Sequence, residues 1–409
     1  MGWVDVVQSI TQDQQSTLVE QAVHGLQGLP LETIRDRVKL TTHAASAIAR
    51  SASQLGFIVP TTLNAVLVQQ VVARIGGLGF LNDLLPPVRS DLSEIALNPD
   101  GTLWLMKKGA RGFEKIDLHP LPEEVWRSVE ALLAPMGRAL SEATPSVDAK
   151  LPRTSDGLSG ARIKIIHPVL APGSGYPAIN VRLFEPKPVL PDQLIAWQVA
   201  PKAVVAGLVE AVASKLRLLV VGGTATGKTT LLSALANGIP QAARVVKIED
   251  PEEIWMPHPN VVTIEARPAP PGSTIPSYRV QDGVDDAMRM APDWLIVGEV
   301  RTGWTALSLF RAQMSDHPGL CTFHAEGAEA AVHRLSVIMF ADAGVHMEAA
   351  KEIFVQAVDL VVQVGWLAGK RKVIAVWETE PEMEAGNVVF RQVYQPGDTE
   401  LGRLSRRRE

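Results

Sequence analysis

The sequence predicts an α/β fold with a largely parallel sheet, preceded by a smaller α+β domain and a helical appendage. Three observations carry this expectation. From about residue 196 onward, short apolar runs alternate with helical patterns, as in parallel sheets whose strands are joined by helices. The glycine-rich run Gly222-Gly223-Thr224-Ala225-Thr226-Gly227-Lys228-Thr229 stands between one such strand and one such helix. Upstream of the prolines Pro186, Pro188 and Pro191 the pattern becomes mixed, and residues 1–76 read as short helices alone.

In the appendage, 1–76, Leu18, Val19, Ala22 and Val23, then Leu63, Val66, Leu67 and Val71, recur at helical spacing. The start, Met1-Gly2-Trp3-Val4-Asp5, lacks the basic-then-apolar pattern of a signal peptide. No charge falls between Arg50 and Arg74, a length that could span a bilayer. That window holds Gln54, Pro60, Thr61, Thr62, Asn64, Gln69 and Gln70, and polar groups are costly in lipid. It therefore predicts amphipathic helices broken at Pro60 and no direct membrane span. Gly76-Gly77-Leu78-Gly79 ends the appendage.

In the α+β domain, 77–185, strands over 94–97 and 102–106 flank Asn98-Pro99-Asp100-Gly101, a hairpin signature. A helix is expected over 123–133 and strands over 162–166 and 178–183. The prolines mark a linker, 186–195. In the last domain, 196–409, strands are expected over 216–221, 245–249, 261–265, 294–297 and 320–323. Helices are expected over 229–237, 281–290, 305–314, 328–340 and 347–358. A hairpin of 372–378 with 388–394 follows, and 403–409 reads as a frayed basic tail.

Composition narrows the function. The 409 residues, 46% hydrophobic and 20% charged, fit a globular chain of more than one domain. A net charge of -5 and the lack of an aromatic-basic stripe argue against direct nucleic-acid binding. Cys321 is the single cysteine, so no internal disulfide forms, which suits a reducing cytosol.

The glycine-rich run fits G-x-x-x-x-G-K-[ST], a phosphate cradle. Small residues let backbone N–H groups wrap a phosphate chain, and the following helix adds its positive end. Lys228 reaches the β and γ phosphates of a nucleotide, the Thr229 hydroxyl ligates Mg²⁺, and Thr230 follows in the same turn. ATP and Mg²⁺ are thus the expected ligands. Glu299 lies just past the apolar strand 294–297, where a carboxylate could hold Mg²⁺ and its water. The cluster Glu249-Asp250-Pro251-Glu252-Glu253 ends the strand 245–249. Glu249 could orient or deprotonate the attacking water, or belong to a solvated acidic turn. His324 follows the strand 320–323 and could sense the γ-phosphate or serve as a hydrogen-bonded structural residue. His317, His324 and His333 are not spaced as a metal site.

Four motifs in order resemble the traffic ATPases of type II and type IV secretion, conjugation and type IV or Tad pili. They are the cradle, Ile248-Glu249-Asp250-Pro251-Glu252, Val297-Gly298-Glu299-Val300-Arg301, and Thr322-Phe323-His324-Ala325 with Arg334-Leu335. Glu265-Ala266-Arg267-Pro268, and the lack of a tetracysteine motif, are similar to the conjugation, type IV secretion and Tad branch. The resemblance implies a RecA-like ATPase domain behind a PAS-like N-terminal domain. It also implies a homohexamer on the cytoplasmic side of the inner membrane, attached through inner-membrane partner proteins. By the same analogy Glu249 is the base, Glu299 handles Mg²⁺, His324 links phosphate state to motion, and Arg162 and Arg182 bind phosphate. Glu249 and Glu299 both remain open as the base. The acidic stretch Gln281-Asp282-Gly283-Val284-Asp285-Asp286 and the pair Glu326-Gly327 depart from the family's usual pattern. A nucleic-acid translocase and a slow, nucleotide-gated scaffold are the competing readings.

Overall fold

A computed structural model of the chain describes residues 10–26, 29, 33, 37–76, 78–153, 159–185, 187–269 and 274–406. Met1 to Asp5, Gly77, Pro186 and the last three tail positions, named above, lie outside these. The chain divides into two compact units, Met1–Pro186 and Lys187–Glu409. The fold is mixed α/β, with one sheet in each unit.

The first unit opens with α1 (Gln12–His24), α2 (Arg37–Leu55) and α3 (Thr61–Gly76). A capping box at Thr11 and Gln14 starts α1, each side chain meeting the other's backbone N–H. Leu18, Val19, Ala22, Leu40, Ile48, Leu67 and Val71 form a core of their own between the helices. Burying such a side chain contributes about 1.5–3 kcal/mol, which short helices cannot match from propensity alone. Val66, expected on the apolar face, is exposed instead. The break between α2 and α3 falls at Pro60, as the polar window predicted. Among the described residues no helix is long and apolar enough to cross a membrane.

The rest of this unit holds β1 (Leu92–Leu97), β2 (Leu103–Lys107), β3 (Glu114–Ile116), α4 (Pro122–Leu133), β4 (Ser146–Leu151), β5 (Ala161–Ile166) and β6 (Ala178–Leu183). The strands pair antiparallel in the order β3-β2-β1-β6-β5-β4. Alternate residues, Ile163 and Ile165 on β5 and Ile179 and Val181 on β6, point into the core. Sequence reading found four of these strands and missed β3 and β4.

The second unit runs α5 (Pro191–Ala196), α6 (Lys202–Ala213), β7 (Leu218–Val221), α7 (Lys228–Leu235), β8 (Val245–Glu249) and β9 (Val261–Glu265). It continues with α8 (Val280–Ala287), β10 (Trp294–Val297), α9 (Gly303–Met314), β11 (Gly319–Phe323), α10 (Ala328–Ala343) and α11 (Met347–Ala357). It closes with β12 (Leu360–Leu367), β13 (Lys370–Thr379) and β14 (Phe390–Tyr394). The sheet order is β14-β13-β12-β7-β11-β10-β8-β9. The strands from β12 to β9 pair in parallel, and β13 and β14 complete the edge as antiparallel strands. Every residue of β7, β8, β10 and β11 is buried. Helices cover both faces, so β7 and β10 read as continuous apolar runs, while β8 and β11 bury Lys247, Glu249 and Thr322 among apolar residues.

Two expectations need correction here. The strand β12 was not anticipated, although Leu360-Val361-Val362-Gln363-Val364 is β-branched and apolar; it pairs in parallel with β7 and places β7 inside the sheet. The expected frayed tail is docked over its described part. Ser405 N and Arg406 N donate to buried Glu378 at 2.8 and 2.6 Å, and Arg406 Nη1 lies 3.1 Å from buried Asp359 Oδ1. Two buried carboxylates need such partners, which is why the basic segment is held.

Candidate active site

The parallel strands of the second unit share one carboxyl edge, where side chains from β7, β8, β10 and β11 meet. The glycine-rich run turns from β7 into α7. A Cβ at Gly222 would lie 2.4 Å from the Val364 carbonyl oxygen, so only glycine lets the chain leave β7 this close to β12. Ala225 and Gly227 take positive φ, 58° and 93°, and Thr226 Oγ1 donates to Gly223 O at 2.9 Å. Such turns gather backbone N–H groups into an anion-binding concavity at a helix start. Gly223, Thr224 and Ala225 are exposed, so the cradle is open to a ligand. The donors fit a phosphate chain.

Lys228 is 7% exposed and turned back onto the loop. Its Nζ donates to Gly222 O and Gly223 O at 3.1 and 2.8 Å. The same Nζ lies 3.4 Å from both ring nitrogens of His324, so it follows neither lone pair. His324 Nε2 lies 3.0 Å from Glu299 Oε1, and Arg301 Nε lies 2.6 Å from Glu299 Oε2. Arg301 Nη1 reaches Asp250 Oδ2 at 3.7 Å. Lys228, His324, Glu299, Arg301 and Asp250 therefore form one chain of polar contacts across the tips of β7, β11, β10 and β8. Partial burial first, then the charge of Lys228, pushes the His324 imidazole below its usual pKa, against the pull of Glu299. The neutral imidazole can accept from one neighbour and donate to another. Arg334 donates to the His324 carbonyl and lies over the Phe323 ring, fixing the backbone that carries the imidazole.

Glu249 sits behind this chain. It is 2% exposed, and its Oε1 accepts from Glu253 N and Ile254 N at 3.1 and 2.9 Å. Lys247 Nζ lies 3.1 Å from the other oxygen and also reaches Glu252 and the Ile254 carbonyl. Burial raises the Glu249 pKa, and Lys247 and the two backbone donors oppose the rise. A raised carboxylate pKa suits a proton acceptor at neutral pH.

Thr229 and Thr230 are half-buried on the first turn of α7. Hydroxyl and carboxylate oxygens, as in Thr229 and Glu299, are the hard donors Mg²⁺ takes beside phosphate oxygens. His317 Nδ1 lies 3.0 Å from the Pro292 carbonyl, and among the described residues no cluster of three His, Cys, Asp or Glu could hold a metal. Arg162 and Arg182 lie in the first unit, directly opposite each other on β5 and β6, with Lys150 next across on β4.

In the sequence Arg301, Asp250 and Arg334 stand inside motifs without roles of their own. Their signal was position: each stands within ten residues of Glu299, Glu249 or His324, at a strand tip or on the helix behind it.

The family model described as type II/IV secretion system protein matches residues 138–364. A Methanocaldococcus jannaschii protein is 34% identical over 204 residues, which are 49% of this chain and 35% of that protein. This chain thus spans about a third of the archaeal protein's length. The probable conjugal transfer protein TrbB of Sinorhizobium fredii is 30% identical over 298 residues, 71% of this chain and 84% of TrbB. The crystal structure of the pilus retraction motor PilT with bound ADP has a similar fold. Its TM-score is 0.53 at 18% identity, over 73% of this chain and 81% of that one. With the family model covering more than half of its residues, the chain belongs to the type II/IV secretion system protein family.

Proposed function

We propose that the chain is an ATP-hydrolysing motor that works as a homohexamer at the cytoplasmic face of the inner membrane. It powers conjugative or type IV secretion, or Tad-type pilus assembly, through inner-membrane partner proteins. The observation that carries this reading is the convergence of Lys228, His324 and Glu299 beside the glycine-rich cradle. Similarity to a conjugal transfer protein supports the branch. In this reading residues 196–409 are the RecA-like ATPase domain and 77–185 the PAS-like domain. Residues 1–76 are the appendage and 186–195 the linker.

The phosphate chain of ATP lies in the cradle, against backbone N–H groups and Lys228, which exchanges its carbonyl partners for phosphate oxygens. Thr229 and Glu299 would hold Mg²⁺, which would supply positive charge against the phosphate chain. A water oxygen attacks the γ phosphorus, the bond to the ADP oxygen breaks, and the water proton passes to a carboxylate. Glu249 is that base by family analogy; Glu299 is the nearer carboxylate to Lys228 through His324. His324 couples the γ-phosphate to Glu299 and to the backbone tied to Arg334. By family analogy Arg162 and Arg182, on the first unit, are phosphate-binding arginines.

The test is Mg²⁺-dependent ATP turnover by the full chain across dilution, with particle mass measured in parallel. Specific activity should rise as rings assemble, and Lys228→Ala should abolish turnover in intact rings. Assembled wild-type rings without turnover would overturn the reading. DNA-stimulated turnover with a steep salt dependence would replace it with nucleic-acid translocation.

A further inference from the structure

The cradle has a second wall that the phosphate chemistry does not use. The strand β7 lies between β11 and β12. Lys228, His324 and Glu299 gather on the β11 side. On the other side β12 runs parallel to β7, and the last paired residue of β7, Val221, stands beside Gln363. The residues from Val364 to Leu367 therefore continue past the end of β7, alongside the glycine-rich loop. At this same end β12 turns back into β13, with Leu367 opposite Lys370 and Trp366 opposite Arg371.

The loop is pressed against this hairpin at both of its ends. Its first glycine backs onto the Val364 carbonyl. At its last glycine, Gly227, a Cβ would meet the Arg371 Cδ at 3.6 Å. The Arg371 guanidinium lies over the Trp366 ring, 5.2 Å from its centroid. Both side chains are half-buried, so each keeps surface toward solvent.

We propose that Trp366 and Arg371 form the platform on which the purine base of the bound nucleotide stacks. This rests on the proposed nucleotide-binding function and adds the base subsite to it. A triphosphate whose γ end lies at Lys228, His324 and Glu299 directs its nucleoside away from β11, toward the β12–β13 hairpin. A guanidinium held over an indole, with both side chains part-exposed, offers a flat cationic and aromatic surface on which a base can pack. The Arg371 stem, packed beside Gly227, sets the height of that face above the cradle. Stacking of this kind tolerates adenine and guanine alike, since every base has a π-face.

The experiment measures dissociation constants of the full chain for ADP, GDP and inorganic tripolyphosphate by calorimetry. Arg371→Met keeps a stem beside Gly227 and removes the guanidinium. In this variant ADP and GDP should weaken by about ten-fold, with tripolyphosphate unchanged. Trp366→Ala should do the same, and Trp366→Phe should bind as wild type. Should Trp366→Ala fail to fold, Arg371→Met decides alone. Unchanged ADP binding in Arg371→Met overturns the platform while leaving the proposed function intact. An equal loss of ADP and tripolyphosphate also overturns it, since the arginine would then act on phosphate. A wild-type chain that binds none of the three ligands overturns the proposed function and the platform with it.

Discussion

A Cβ at Gly298 would lie 3.0 Å from the Glu249 Cγ and 3.2 Å from its Oε1, so the residue before Glu299 is pressed against the carboxylate that ends β8. The Gly298 N–H also donates to the Ile248 carbonyl at 2.9 Å, which leaves the backbone little room to retreat. Gly298→Ala should therefore destabilise the chain by about 1–3 kcal/mol, as overpacking does, and lower turnover with it. Urea unfolding of the variant beside wild type measures the first effect. A change below about 0.5 kcal/mol, the range of ordinary surface substitutions, would count against the close fit.

Glu299→Gln keeps the shape and removes the charge that His324 and Arg301 both meet. Nucleotide affinity should stay near that of wild type, while turnover falls by about 10²–10⁴-fold. Equal losses in affinity and turnover would show a binding role and no part in the chemistry.

Glu249 gives a pH prediction. Burial raises its folded pKa above the ordinary 4.5, so the native state holds the proton more tightly than the unfolded one. Stability from this group is fully present below the unfolded value and is lost as pH rises through the folded value. Glu249→Gln should flatten that fall. Urea midpoints from about pH 4 to pH 8 read it directly, and parallel profiles for the two proteins would sink the assignment.

The docked C-terminal segment should matter to stability. Asp359 is fully buried, with Arg217 N at 2.8 Å on one oxygen and Arg406 Nη1 at 3.1 Å on the other. Arg406→Ala strands part of that charge and should cost about 3 kcal/mol. Adding Asp359→Asn should recover much of the loss, and no recovery in the double variant would mean that packing, not charge, is at stake.

Burial pushes the Cys321 thiol up to about 12 and closes it inside β11. Iodoacetamide at pH 8 should leave the folded chain unmodified and label it fully in denaturant. Rapid labelling of native protein would place β11 outside the core.

The parts of the fold that were legible in the sequence are those with a strong local signal. The runs that became β7 and β10 are continuously apolar, and those of β8 and β11 mostly so, because both faces are buried, and the cradle is legible because its glycines and Lys228 answer to one geometry. The strand β12 was missed because a run after a helix reads as one more apolar segment until its partner β7 is known. The tail was misread for the reverse reason. Its charges look solvated in sequence, and only the fold brings buried Asp359 and Glu378 beneath them. In the site, Glu299 and His324 were legible at strand tips. The link from Arg301 to Asp250 was not, since it joins two strands that only the sheet order makes neighbours.

The position of β7 inside its sheet also bears on how the protein is made. Arg217, just before β7, and Asp359, just before β12, are hydrogen-bonded yet stand 142 residues apart in sequence. At about 5–20 residues per second, the ribosome takes roughly 7–30 s to deliver the second after the first. Through that interval an apolar strand and the loop it carries wait without β12 in place, and until Gly319–Phe323 is made they wait without β11 as well. Unit two is thus a late-closing fold, since the strand inside its sheet pairs with segments far along the chain. Fragments released before β12 carry the whole nucleotide motif without the sheet that shapes it.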